Sequence, residues 1–210
     1  MALATRLRSA SHWSDPRVKP PYGSVEVSDE ALSRGLVGAW LLNEGAGGPV
    51  DLVQSRQSTL GGEGAVWTPG SRDKAIKLSA TSDFVNFGTD VPAFKPTSVS
   101  IVVLTEWDGA GAGNNYIFSS IASSTGYELA HAFGSALWWA TTTNFNVNNT
   151  SFTPVANVPY HAILSYDQLV GTRVYVNGQQ VATDAVTGAL TYTGVHELRF
   201  GQRADAATGE

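Results

Sequence analysis

The chain has no cysteine among its 210 residues. That excludes disulfide scaffolds, thiolate metal sites and cysteine nucleophiles. Charge is scarce as well. Asp, Glu, Lys and Arg together make up 15% of the chain, against about 25% in an average soluble domain. Disordered and coiled-coil chains need more charge than this, so neither describes the bulk of the sequence. No apolar run approaches the roughly 18 residues of a membrane-spanning helix. Met1–Ser14 contains Arg6 and Arg8 with no apolar stretch behind them, so a Sec signal is not expected. Helical periodicity nowhere persists, and there is no internal repeat.

The charge that is present is acidic, with a net value of −5 at pH 7. Nucleic-acid binders draw their affinity from Lys and Arg set against phosphates, so that partner class is not expected. No membrane partner is expected either. In abundance are 22 glycines, 9 prolines, and many Val, Thr, Asn and aromatic residues. This mixture belongs to short strands joined by tight turns. Strands are expected at Leu36–Leu42, Phe84–Phe87, Ser98–Trp107, Tyr116–Ile121, Gly126–Phe133, Ala136–Thr141, Tyr160–Tyr166 and Glu197–Phe200. Arg173–Ala182 is expected to fold as a hairpin about Asn177-Gly178, because a type I′ turn needs positive φ at both central residues. The pattern is that of an all-β antiparallel sandwich or jelly roll.

Composition changes near residue 35. Residues 1–34 are expected to form an extended, proline-containing arm, since Asp15-Pro16 and Pro20-Pro21 rule out a continuous helix. Ser28–Leu32 reads as a single helical turn capped by Ser28. Within the arm, Arg6, Arg8, Trp13, Arg17, Lys19 and Tyr22 are the candidate partner-binding residues. The arm is either a free tail or a segment that orders on a neighbouring subunit.

Nucleophilic and metal motifs are missing. There is no G-x-S-x-G elbow and no H-E-x-x-H, and His12, His131, His161 and His196 are scattered. Gly109–Gly113 lacks the lysine and helix of a phosphate loop, and reads as an inter-strand loop. Asn148–Ser151 holds two overlapping N-glycosylation sequons, which act only on a chain that enters a eukaryotic secretory route.

Three stretches, in order, resemble one family. They are Gly35–Gly47, then Ala75–Leu78 with Asp83–Phe87, and then Tyr160–Asp167 with Arg173–Gly178. Together they are similar to a laminin-G-like domain of the concanavalin A-like lectin and glucanase superfamily, spanning residues 35–210. The resemblance implies a two-sheet antiparallel jelly-roll sandwich, concave on one side, with Ala75–Leu78 and Asp83–Phe87 as paired strands. It also implies a final strand after Phe200-Gly201. No such strand follows before Glu210, so the expectation is an open sheet edge that the arm or another chain fills. Leu32–Trp40, behind the arm, is similar to versions of the domain in tailed-phage structural proteins.

The superfamily contains glycosidases with paired carboxylates on one strand. Here Glu106-Trp107-Asp108 supplies a first pair, but glycines follow and the second Glu is missing. No enzyme is expected. Many family members hold structural calcium. The matching positions are Glu44 and Asp51, and no other cofactor is implied. A glycan-binding member would present aromatics on the concave sheet. Trp138 and Trp139 are adjacent, so alternation sends them to opposite faces. Tyr127 and Phe145 complete the candidate glycan or protein contact.

The leading expectation is a non-catalytic virion structural protein, a capsid decoration or tail-associated component located in the particle. It would bind other virion proteins or copies of itself through arm and sandwich. The alternative is a glycan-binding module, either a receptor binder or an appendage to an enzyme.

Overall fold

The computed structural model describes residues 34–70, 73–109, 115–131, 136–141 and 144–204, with the backbone alone for 73 and 144–148. The arm residues Arg6, Arg8, Trp13, Arg17, Lys19 and Tyr22, and the helical turn at Ser28–Leu32, lie outside the described residues. Thirteen strands are formed among those described. They are β1 Thr59–Gly61, β2 Val66–Gly70, β3 Asp73–Lys77, β4 Phe84–Thr89, β5 Val99–Thr105, β6 Asn115–Ala122, β7 Thr125–His131, β8 Leu137–Thr141, β9 Asn144–Asn149, β10 Tyr160–Asp167, β11 Gly171–Val176, β12 Gln179–Asp184 and β13 Glu197–Gly201.

A seven-stranded sheet runs in the order β1-β4-β13-β6-β7-β8-β9. A four-stranded sheet runs β12-β11-β10-β5, and β2 and β3 pair separately. All the pairings are antiparallel. The two larger sheets bury one common core, so the architecture is the expected sandwich. Strand β10 shows why: Tyr160, Ala162, Leu164 and Tyr166 point inward and alternate with half-exposed or exposed residues. From the facing sheet, Phe118, Leu129, Leu137 and Trp139 meet them, each at most 1% exposed. Side chains of this size contribute about 1.5–3 kcal/mol each on burial.

The hairpin forms as expected. Val176 faces Gln179 across a two-residue loop in which Asn177 has φ +50 and Gly178 φ +82. A second organising point was not foreseen. The fully buried Asp83 carboxylate accepts backbone N–H groups from Gly64, Ser79 and Ala80, each at 2.8 Å. A Cβ at Gly62 or Gly64 would lie 2.4 or 2.6 Å from that carboxylate, so both positions need glycine. Burial pushes the Asp83 carboxyl up, but the amides outweigh it and hold the group below the usual carboxylate range.

Two expectations fail. Leu36–Leu42 is in no strand. Leu36 and Val37 are 37% and 39% exposed, and Leu42 turns to φ +55. The backbone there is tied by irregular bonds instead. The Leu52 N–H donates to the Ala39 carbonyl, and the Ala39 N–H to Asp51 Oδ1. Trp40 packs the segment against the core, 4.4 Å from the Phe87 ring. An apolar run suits any half-buried path, and a ladder also needs a partner strand. In addition, Ala75–Leu78 does not pair with Asp83–Phe87. Strand β3 pairs with β2, and β4 pairs with β1 and β13.

Candidate functional site

Trp138 and Trp139 do lie on opposite faces of β8. Trp139 enters the core between the sheets, while Trp138 packs on the outer face of the seven-stranded sheet with Ala130, Ala140 and Tyr116. Neither is a surface aromatic, however, at 3% and 1% exposure. Tyr127 is likewise a core residue, its hydroxyl donating to the Phe94 carbonyl. Trp138, Trp139 and Tyr127 are therefore not exposed contact residues: alternation selects a face but does not say whether that face is covered. Phe145 lies in β9, and its side chain is outside the described residues.

Glu44 and Asp51 do not fit a calcium pair. Asp51 is fully buried, and its Oδ2 receives Arg56 Nη2 at 3.1 Å. Its Oδ1 accepts the N–H groups of Ala39 and Val53. Arg56 in turn stacks over the Phe94 ring at 4.6 Å. The site already has its cation, an arginine. Glu44 Oε1 accepts the Val50 N–H and closes the glycine turn. Among the described residues no group of three His, Asp or Glu side chains could hold a metal ion. Glu106 and Asp108 are exposed beyond the end of β5.

The outer face of the seven-stranded sheet carries the concentrated chemistry, and the sequence reading missed it. Pairing registers set one transverse row: Asn86 on β4, Arg199 on β13, Ser119 on β6, Glu128 on β7 and Ala140 on β8. The neighbouring row runs Gly201, Tyr116, Ala130, Trp138 and Asn149. Leu198 goes to the core and Phe200 packs against it, so Glu197 and Arg199 are turned outward.

Arg199 is the best-held side chain of this face. Its Nε donates to Glu197 Oε2, its Nη1 donates to Gln202 Oε1 at 2.7 Å, and its guanidinium lies 4.3 Å over the Phe84 ring. Glu197 Oε1 also accepts the Thr89 hydroxyl at 2.9 Å. The two charged side chains keep 12% and 20% of their surface open to solvent. Next to them Glu128, only 2% exposed, accepts the Ser119 hydroxyl at 3.3 Å and forms an ion pair with Arg203, whose Nε lies 3.4 Å away. A buried carboxylate is costly unless it is paired and hydrogen-bonded, and Arg203 and Ser119 supply both partners here.

The signal for these residues was faint. Glu128 is a lone acid within the otherwise uncharged Tyr127–Ala130, and Glu197-x-Arg199 is an opposite-charge pair at i, i+2. Both follow from the period of a strand, but register alone aligns them across the sheet.

No protein-family model matches the chain, and no curated protein matches it. Solved structures do match. The binding domain of Paraclostridial Mosquitocidal Protein 1 aligns with a TM-score of 0.56 and 15% identity, over 73% of this chain and 41% of that one. The binding domain of botulinum neurotoxin DC, solved with rat synaptotagmin II, aligns with a TM-score of 0.56 and 12% identity, over 79% and 43%. Botulinum neurotoxin type C, whose cell entry depends on interaction with two ganglioside molecules, aligns with a TM-score of 0.50 and 13% identity, over 77% and 42%. The chain thus spans about two-fifths of the length of these proteins. At such identities the likeness is one of fold. The chain is a β-sandwich of the kind found in these binding domains; the laminin-G and phage resemblances rest on the sequence motifs alone.

Proposed function

We propose that this chain is a non-catalytic glycan-binding module whose ligand sits on the outer face of the seven-stranded sheet. The observation that carries the reading is the Phe84–Arg199–Glu197 arrangement beside Asn86 and Thr89. Sugars present hydroxyls that both donate and accept, next to apolar C–H faces. The arrangement sets an arginine, an amide and a carboxylate on paired strands, beside the half-buried Phe84 ring that the guanidinium covers. The fold supports the reading because it is shared with a binding domain and with part of botulinum neurotoxin type C, whose cell entry depends on interaction with gangliosides.

The test is a glycan array probed with the wild-type chain and with Arg199→Ala. Retention of a defined glycan set by the wild type, lost in the variant with the fold intact, is the expected result. No retained glycan, or retention indifferent to Arg199→Ala and Glu197→Gln, overturns the assignment.

A second reading, a virion structural protein acting through protein contacts, draws on the free edge of β5 among the described residues. It assigns contacts to Arg6, Arg8, Trp13, Arg17, Lys19 and Tyr22, and it places the chain in a particle. Mass spectrometry of density-purified particles tests it. Copy numbers near those of the major shell protein support a lattice role; absence from particles excludes the setting.

A further inference from the structure

We infer that β5 is a self-pairing edge, through which two copies of this chain join their four-stranded sheets about a two-fold axis at Val102. The inference stands whether or not the glycan reading holds.

The parity of the ladder identifies the free groups. Asn177 N–H donates to the His161 carbonyl, which makes His161, Ile163 and Ser165 the residues of β10 that bond to β11. Ala162, Leu164 and Tyr166 therefore bond to β5, at Val103, Ile101 and Val99. The N–H and C=O groups of Ser100, Val102 and Leu104 point the other way, off the end of the sheet. Nothing in the described residues pairs with them.

Natural edges are usually guarded by charge, proline, a bulge or short length. Strand β5 reads Val-Ser-Ile-Val-Val-Leu-Thr, with no charge and no proline, and its seven residues pair with β10 without a register shift. The opposite edge of the same sheet, β12, has a bulge in its pairing and ends in Asp184. Strand β1 has only three residues. Val102 is 66% exposed in the middle of the unguarded edge. Beside it in register lie the half-buried Ile163 and Tyr175, so its apolar surface continues inward across the sheet.

A second copy fits this edge better than a generic peptide because the edge is complementary to itself. Ser100 and Leu104 are spaced equally about Val102. A two-fold axis there sets Val102 against Val102, and Ser100 against Leu104 of the other copy. Each outward N–H then meets an outward carbonyl, and no like charges face one another across the junction. The contact is isologous and closes at two subunits.

The experiment is sedimentation velocity on the full chain, wild type and variants, at concentrations up to about 100 μM, where a micromolar dimer is saturated. Because Val102 is exposed, Val102→Lys and Val102→Glu leave the fold intact, as circular dichroism will verify. The wild type is expected to be dimeric. Each variant is expected to be monomeric, since it places two like charges on the axis. An equimolar mixture of the two variants should recover a heterodimer, because Lys then faces Glu. A monomeric wild type overturns the inference, including the case in which another segment of the chain protects the Ser100, Val102 and Leu104 amides from exchange. Variants that dimerise like the wild type overturn it as well. A mixture that stays monomeric overturns the placement of Val102 on the axis.

Discussion

Acidification from pH 7 to pH 4 should destabilise this protein through one buried histidine. His131 is 5% exposed at the end of β7. Its Nε2 shares a hydrogen bond with the Tyr160 hydroxyl from the opposite sheet, and its Nδ1 has no partner among the described residues. The rings of Tyr160 and Trp107 lie 5.7 and 5.9 Å away. Burial disfavours the imidazolium and lowers the ring's pKa from 6.5 to about 4. Between those values the unfolded chain binds a proton that the folded chain refuses. The stabilisation is therefore complete above pH 6.5 and drains away as pH falls toward 4. At about 1.4 kcal/mol per pH unit, less the partial protonation of the folded ring at its own midpoint, the loss by pH 4 is about 3 kcal/mol. Urea unfolding, followed by tryptophan fluorescence at stepped pH, measures it. His131→Gln keeps a side-chain partner for Tyr160 but cannot titrate. The variant should start less stable and then lose about 3 kcal/mol less than the wild type between pH 7 and 4. Parallel stability profiles for the two proteins would refute the assignment.

Other outcomes follow from the same structure. Asp83→Ala leaves the amides of Gly64, Ser79 and Ala80 without their acceptor, and should cost about 3 kcal/mol or more in urea unfolding. Since the amides hold the Asp83 carboxyl below its ordinary range, its contribution is present above pH 4 and is lost as pH falls through the folded value. Gly178→Ala meets no atom within 4 Å, so its cost is that of backbone strain at φ +82 alone, about 1 kcal/mol. Trp139→Ala should cost about 3–5 kcal/mol, measured by the same unfolding assay. If the glycan reading is right, Arg199→Ala should weaken binding about tenfold or more by calorimetry, the loss expected for charge-assisted hydrogen bonds.

What the sequence by itself determined is local. Tyr160–Tyr166 read as a strand, and Asn177-Gly178 as the turn of the hairpin that follows, because both depend on neighbours along the chain. Alternation along a strand separated Trp138 from Trp139. Tertiary structure decided the rest. Whether the outer face is covered depends on what packs there, and that buried Trp138. Leu36–Leu42 has a strand's composition without a place in a ladder, since pairing is a property of two segments. Arg199 is far along the chain from Ser119 and Glu128, which share one hairpin. Only the register that places β13 beside β6, and β6 beside β7, sets them in one row. The candidate site was unreadable for that reason: its residues are unremarkable alone, and sheet order makes them neighbours.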